Sequence, residues 1–399
     1  MHFRDPVEAA AAILSACQSG LGWDPAALDL LLQSNSTALF SHVIEPLSDA
    51  FEPAYCDAYA DLFTEVLGRV AGLDAAALRE RYERIRRPAL FSGEAEHVCV
   101  LSRVTLGADI AVTSVFLDAA KQRFPGARIY FAGPAKNFEL FNADPRIEHL
   151  PVPYARQGAL SNRISAGIAL GELLPPGALL LDPDSRLSQL GLLPLAPVER
   201  HLFFESRGYG GASADSITAL ARRWTREVLG VEGAANYVST RAPAAHSAPG
   251  LISLSLGVGE NPAKRVADPF EGELMKILAA TGRPILADLG AGGEEEARVR
   301  NAIAAAAPSS KRVSVWNGSF ANFASSIAAS RLYVGYDSSG QHAAAVFGIP
   351  RLTIFAGYPN ERFLARWRPD GPGPSHAIQT SSPGDALRAV QASLNALLL

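Results

Sequence analysis

Asp337-Ser338-Ser339-Gly340-Gln341-His342 sets a carboxylate, two hydroxyls, a glycine, an amide and an imidazole between an apolar run ending at Tyr336 and a small-residue stretch. A helix starting near Gly340 would turn its unpaired N–H groups and positive dipole end towards an anion. Ser338 and Ser339 add hydroxyl donors, Gly340 permits close backbone approach, and His342 can donate to a phosphate oxygen. A diphosphate fits this set. The plain alternative is that Asp337 or a serine only caps the helix and His342 is a satisfied polar residue.

Two further loops carry compatible chemistry. In "SLGVGENPAKR", Gly257 and Gly259 free the backbone and Lys264 can neutralise a phosphate; without a third glycine it is not a dinucleotide fingerprint. In "ADLGAGGEEEAR", Gly290, Gly292 and Gly293 precede Glu294, Glu295 and Glu296, any of which can accept hydrogen bonds from ribose or sugar hydroxyls. Acids in a first helical turn also simply favour the dipole.

Together these loops resemble the C-terminal half of the family 9 glycosyltransferases, typified by ADP-heptose:lipopolysaccharide heptosyltransferases of GT-B fold. The resemblance implies donor contacts from Lys264, Glu295 or its neighbours, Asp337, Ser338 and His342, beside the glycine-freed backbone at Gly257, Gly259 and Gly340. The family's Asp-(Thr/Ser)-Gly-x-x-His keeps its Asp-to-His spacing here. Ser339 stands where the family has glycine, and Gly340 comes one place later. Which nucleotide and sugar are bound therefore stays open.

"VLSRVTLGADIAVTSVFLDAAKQRFPGARIYF", Val100 to Phe131, resembles the opening strand, Gly-Asp loop and helix of the same family. It implies that Asp109 is the general base that takes the acceptor's proton, although Gly107-Ala108-Asp109 replaces Gly-Asp. A helix N-cap is the alternative for Asp109, and Arg103 and Thr105 are either structural or part of the acceptor site. Asp182-Pro183-Asp184 imitates the DxD of metal-dependent glycosyltransferases. The tandem layout belongs to the other fold, which makes this loop, with Arg186, an acceptor-facing or interdomain surface. The implied reaction is an inverting transfer that calls for no metal or other cofactor: fixed donors meet the charge of the leaving diphosphate.

These residues need elements to position them. Residues 5 to about 90 show apolar spacings of three and four, with Asp-Pro or Asp helix starts. From His97 short apolar runs alternate with helical stretches. After "STRAPAAHSAPG" the alternation begins again, so βαβ units repeat twice. The fold class expected is α/β, a GT-B-like pair of Rossmann-like doubly wound domains facing a cleft, behind an all-helical extension. The expected domains are 1–92 helical, 93–245 acceptor-binding and 246–383 nucleotide-sugar-binding, with a last helix, 384–399, returning to the first Rossmann-like domain.

A chain of 399 residues, 48% hydrophobic, is long enough for two cores. Net charge −4 offers nucleic acid no global attraction. The arginine-rich "RERYERIRRP" reads as a solvated helix face leading into a linker. Cys17, Cys56 and Cys99 form no CxxC, and no stretch reaches about 20 apolar residues. A soluble cytoplasmic enzyme is the expectation. Its partners would be a nucleotide-diphosphate sugar and a glycan, lipid-linked or protein acceptor, with no nucleic acid. Peripheral membrane contact stays open, as does a partner or second copy at the helical extension. The rival readings are a nucleotide-sugar epimerase and a non-catalytic binding module.

Overall fold

The computed structural model describes residues 3–34, 37–154, 158–259, 261–290, 292–307 and 309–398. Two compact units form: Met1–Thr105, Val112–Phe138 and Pro145–Ala235 make the first, and Leu106–Ala111, Glu139–Asp144 and Asn236–Leu399 the second.

The first unit opens with helices α1 (Pro6–Gln18), α2 (Pro25–Gln33), α3 (Glu45–Asp49), α4 (Pro53–Ala71) and α5 (Ala75–Ile85). The Asp-Pro and Asp starts behave as the sequence predicts: Asp5 Oδ1 accepts from the Val7 and Glu8 amides at 2.9 Å, and Asp24 and Asp74 cap α2 and α5. Strands β1 (His97–Leu101), β2 (Arg128–Gly133), β3 (Ile147–Pro151), β4 (Leu179–Asp182) and β5 (His201–Phe203) make a parallel sheet of order β3-β2-β1-β4-β5. Between them run α6 (Leu106–Ala108), which belongs to the second unit, α7 (Ser114–Arg123), α8 (Ala135–Phe138) and α9 (Leu160–Leu173). Helix α10 (Ile217–Leu229) follows β5.

The N-terminal helices are not a separate body. Ile13, Leu28, Val43, Phe63 and Tyr82 share one hydrophobic core with Cys99, Leu101, Leu180 and Phe203 of the sheet. The arginine-rich stretch also departs from the solvated face expected. Arg81 donates to the carbonyls of Gly191 and Ala196, and the Arg86 side chain is only 6% exposed.

The second unit alternates strictly. Its first half holds β6 (Ile252–Ser255), α11 (Phe270–Ala280), β7 (Ile285–Asp288), α12 (Gly293–Ala305), β8 (Val313–Trp316) and α13 (Phe320–Ala328). Its second half holds β9 (Leu332–Tyr336), α14 (Ser339–Val346), β10 (Arg351–Phe355), α15 (Glu361–Trp367), β11 (Ser375–Gln379) and α16 (Pro383–Leu398). All six strands are parallel, in the order β11-β10-β9-β6-β7-β8. Strands β6, β9 and β10 are buried throughout, as parallel strands covered on both faces must be. The last helix, α16, belongs to this unit. Its buried residues Ala386, Val390, Leu394 and Leu397 pack in the core of this second unit, because they recur at three- and four-residue intervals facing α11, β10 and β11.

Both sheets wind outward in two directions from a central strand. The winding reverses between β1 and β4 in one unit and between β6 and β9 in the other. Beyond the carboxyl ends of such strand pairs an open α/β sheet has its natural crevice.

Candidate functional site

In the second unit, the loops after β6 and β9 bring Lys264 and Asp337 together beside the start of α14. Asp337 leaves β9 nearly buried, and its Oδ2 accepts from Lys264 Nζ at 2.6 Å. Lys264 ends a short turn, Pro262–Lys264, and its ammonium lies 5.1 Å from the Phe363 ring centroid. Gln341, fully buried, donates from Nε2 to Asp337 and to the Trp367 carbonyl. The Lys264 charge is thus matched by one carboxylate. An arriving anion would draw on this ammonium and on the amides at the start of α14.

His342 lies one turn into α14, buried and edge-on to Trp367 with ring centroids 6.0 Å apart. Burial pushes its imidazole down to about 4; Asp337 pulls it up, while Lys264 and Arg351 push it down further. Near neutral pH it is uncharged and offers one N–H. Ser338 and Ser339, both half-buried, complete the junction.

The glycine and glutamate loop forms a neighbouring cluster. Glu295 folds back from the first turn of α12 over two glycines: a Cβ on Gly290 would stand 1.8 Å from its Oε1, and one on Gly257 2.4 Å. Those glycines make room for the carboxylate. Gly259, at φ +61, keeps the exposed part of its loop in a left-handed conformation. Asp288, which the sequence reading passed over, ends β7 here and accepts from the Gly290 amide at 3.2 Å. Burial pushes its carboxyl up to about 6, and the Glu295 charge adds to this. Its signal was available, since an acid ends an apolar run directly before a glycine loop.

The segment carrying Asp109 joins the same unit. A Cβ on Gly107 would lie 3.3 Å from both His342 Cδ2 and Ser339 Cα, so this glycine lets the Leu106–Ala111 segment lie against the first turn of α14. Asp109 follows two residues later and is fully buried.

The residues read as acceptor contacts lie in the first unit, where other groups take up much of their polar capacity. Arg103 donates to the Pro183 carbonyl and to Ser206 Oγ, and Thr105 is half-buried beside it. Asp182 is fully buried and accepts from the Ser185 amide at 2.8 Å and from His201 Nε2 at 3.1 Å. Because Arg81 can only donate, its 2.7 Å contact to His201 Nδ1 fixes the proton on Nε2.

Asp184, held at φ +68, accepts from Arg207 Nε at 3.0 Å and from Ser206 Oγ at 2.7 Å. Burial opposes its ionised form, but Arg207 and Arg103 outweigh that and hold the carboxyl below its usual range. Arg207 stacks 4.8 Å from the Tyr59 centroid, and Arg186 pairs with Glu45 at 3.0 Å. The two carboxylates that imitate DxD therefore face different partners, and this geometry lends the acceptor reading no support.

No family model matches the sequence, and no curated protein matches it either. Solved structures do. A family 9 glycosyltransferase from Veillonella parvula aligns at 15% identity and TM-score 0.56, over 77% of this chain and 99% of its own. The heptosyltransferase WaaC of E. coli, solved with ADP, aligns at 15% identity and TM-score 0.52, over 75% of this chain and 99% of its own. E. coli ADP-heptose lps heptosyltransferase II aligns at 17% identity and TM-score 0.50, over 76% and 100%. This is the fold of the family 9 glycosyltransferases. The chain carries that GT-B fold in its two Rossmann-like units, with an N-terminal helical region in addition. Among the described residues no helix is long and apolar enough to cross a membrane.

Proposed function

We propose that this protein is a glycosyltransferase that moves a sugar from a nucleotide-diphosphate donor to an acceptor hydroxyl with inversion. One observation carries the reading: Gly107, two residues before Asp109, packs against Ser339 and His342 at the start of α14. A candidate base and a candidate diphosphate cradle thereby share one neighbourhood. The fold shared with a heptosyltransferase that was solved with ADP supports the same reading.

In the proposed reaction the diphosphate rests on the first-turn amides of α14, with Lys264 and the neutral His342 donating to its oxygens. Glu295 and the glycine loops contact the nucleoside end. The acceptor oxygen attacks the anomeric carbon as the bond to the diphosphate oxygen breaks. Its proton passes to the Asp109 carboxylate, and the leaving diphosphate keeps the electron pair. The acceptor is a glycan, a lipid-linked sugar or a protein, and the enzyme works in the cytoplasm. The acceptor roles of Arg103, Thr105, Asp182, Asp184 and Arg186 belong to this proposal only so far as their internal bonds leave atoms over.

The full burial of Asp109 favours a second reading, a nucleotide-sugar-binding module without transfer. One variant separates the two. Asp109→Asn should leave donor binding intact and lower turnover about 10²–10⁴-fold if Asp109 is the base. A thermal-shift screen against ADP-, UDP-, GDP- and CMP-linked sugars identifies the donor to use, since a ligand that binds the native state raises its melting temperature. Unchanged turnover in Asp109→Asn would refute the assignment of the base.

A further inference from the structure

Two features of the α14 start are unexplained by a diphosphate cradle alone. Gly340 stands one place later than the family pattern puts its glycine. Ser338, in the N-cap position, makes no side-chain hydrogen bond to the helix. A serine there ordinarily accepts from a first-turn amide.

The residue underneath accounts for both. Tyr333 is fully buried on β9, and its side chain crosses Gly335 to end below the first turn of α14. A Cβ on Gly335 would stand 2.4 Å from Tyr333 Oη, and one on Gly340 2.3 Å. The phenol, then, requires glycine at position 340. Its Oη has no partner within hydrogen-bonding geometry, although buried phenols generally have one. Burial, and then the Asp288 charge, push this phenol above its ordinary range, while the Ser338 and Ser255 hydroxyls are near enough to oppose them in part.

We propose that Tyr333 is a positioning residue: a small side-chain rotation pairs its unpartnered phenol O–H with Ser338 Oγ, which keeps that oxygen off the first-turn amides of α14 and leaves those N–H groups open to an anion. The proposal rests on reading α14 as the diphosphate cradle. Its geometric core, the competition between Tyr333 and the helix for one serine oxygen, can be measured without any ligand.

The test uses the full chain as wild type, Tyr333→Phe, Ser338→Ala and the double variant, with two readouts. In thermal unfolding, Ser338→Ala should leave the wild-type melting temperature within about 1 °C but lower that of Tyr333→Phe by about 2–4 °C, because the freed serine then caps the helix. In calorimetric titration with inorganic pyrophosphate, Tyr333→Phe should bind about 5-fold more weakly, and the double variant should recover. An equal melting cost of Ser338→Ala in both backgrounds overturns the inference, as does a binding loss that the double variant fails to restore. If wild type and Lys264→Ala bind pyrophosphate alike, the donor reading falls instead, and the melting cycle still decides the role of Tyr333.

Discussion

The two units wind their sheets alike, yet they treat the point where the winding reverses in opposite ways. In the first, the carboxyl ends of β1 and β4 are tied together: Ser185 Oγ donates to the Ser102 carbonyl, Arg103 to the Pro183 carbonyl, and Arg207 holds Asp184. Beyond Arg207 the network runs to Tyr82, Glu205 and Arg86, so the N-terminal helices are knitted to the same loops. In the second, Gly257 and Gly259 follow β6, Gly340 lies in the first turn of α14, and that helix starts without a side-chain cap. One crevice has been converted into structure. The other keeps polar groups that a ligand can still satisfy.

The largest stability effect should come from opening the first crevice. Arg207→Met leaves Asp184 charged and buried, and should cost about 3–5 kcal/mol in chemical denaturation. Pyrophosphate binding by the protein that remains folded should not change. A loss of binding equal to that of Lys264→Ala would mean that the two crevices are not functionally distinct.

Asp288 sharpens the comparison through pH. Its folded carboxyl, raised to about 6 from 3.8, holds its proton more tightly than the unfolded chain does. The resulting stability is present below about pH 4 and is lost as pH rises through 6. Asp288→Asn, neutral throughout, should therefore match wild type near pH 4 and exceed it by about 2–3 kcal/mol at pH 8. A difference in melting temperature that stays constant from pH 4 to 8 would contradict this. His342 works with the opposite sign: the unfolded imidazole takes a proton below about 6.5 and the folded one only near 4, so its stability is lost as pH falls across that window.

A smaller effect is expected at the cradle itself. Lys264→Ala should weaken pyrophosphate binding about 10-fold, a charge-assisted hydrogen bond being worth about 1.5–3 kcal/mol, part of which Asp337 already absorbs. Undiminished affinity would remove Lys264 from the cradle.

Much of this was legible in the chain. Strand-to-helix alternation, Asp-Pro starts and an acid, hydroxyl and imidazole junction after an apolar run are local patterns, set by backbone periodicity and by which residues can end a strand or begin a helix. Hence α14 begins at Ser339, within one residue of the Gly340 start that the sequence predicts. The edge strand β11 shows no such pattern: Ser375-His376-Ala377-Ile378-Gln379 buries only Ile378, so it lacks a strand's apolar signature.

What the sequence by itself determined is therefore the order of elements, two rounds of βαβ winding, and the residue types at each strand end. The tertiary structure alone decided which of those strand ends stayed available. Asp182 and Asp184 look as chemically promising in the chain as Asp337 does. Their partners His201 and Arg207 lie 19 and 23 residues away, and the groups that complete the network, Arg81 and Tyr82, lie more than 100 away. The energy of a buried charge depends on who faces it, and local spacing carries no record of that. The same holds for Gly340, whose reason for being glycine is a phenol on the strand beneath it.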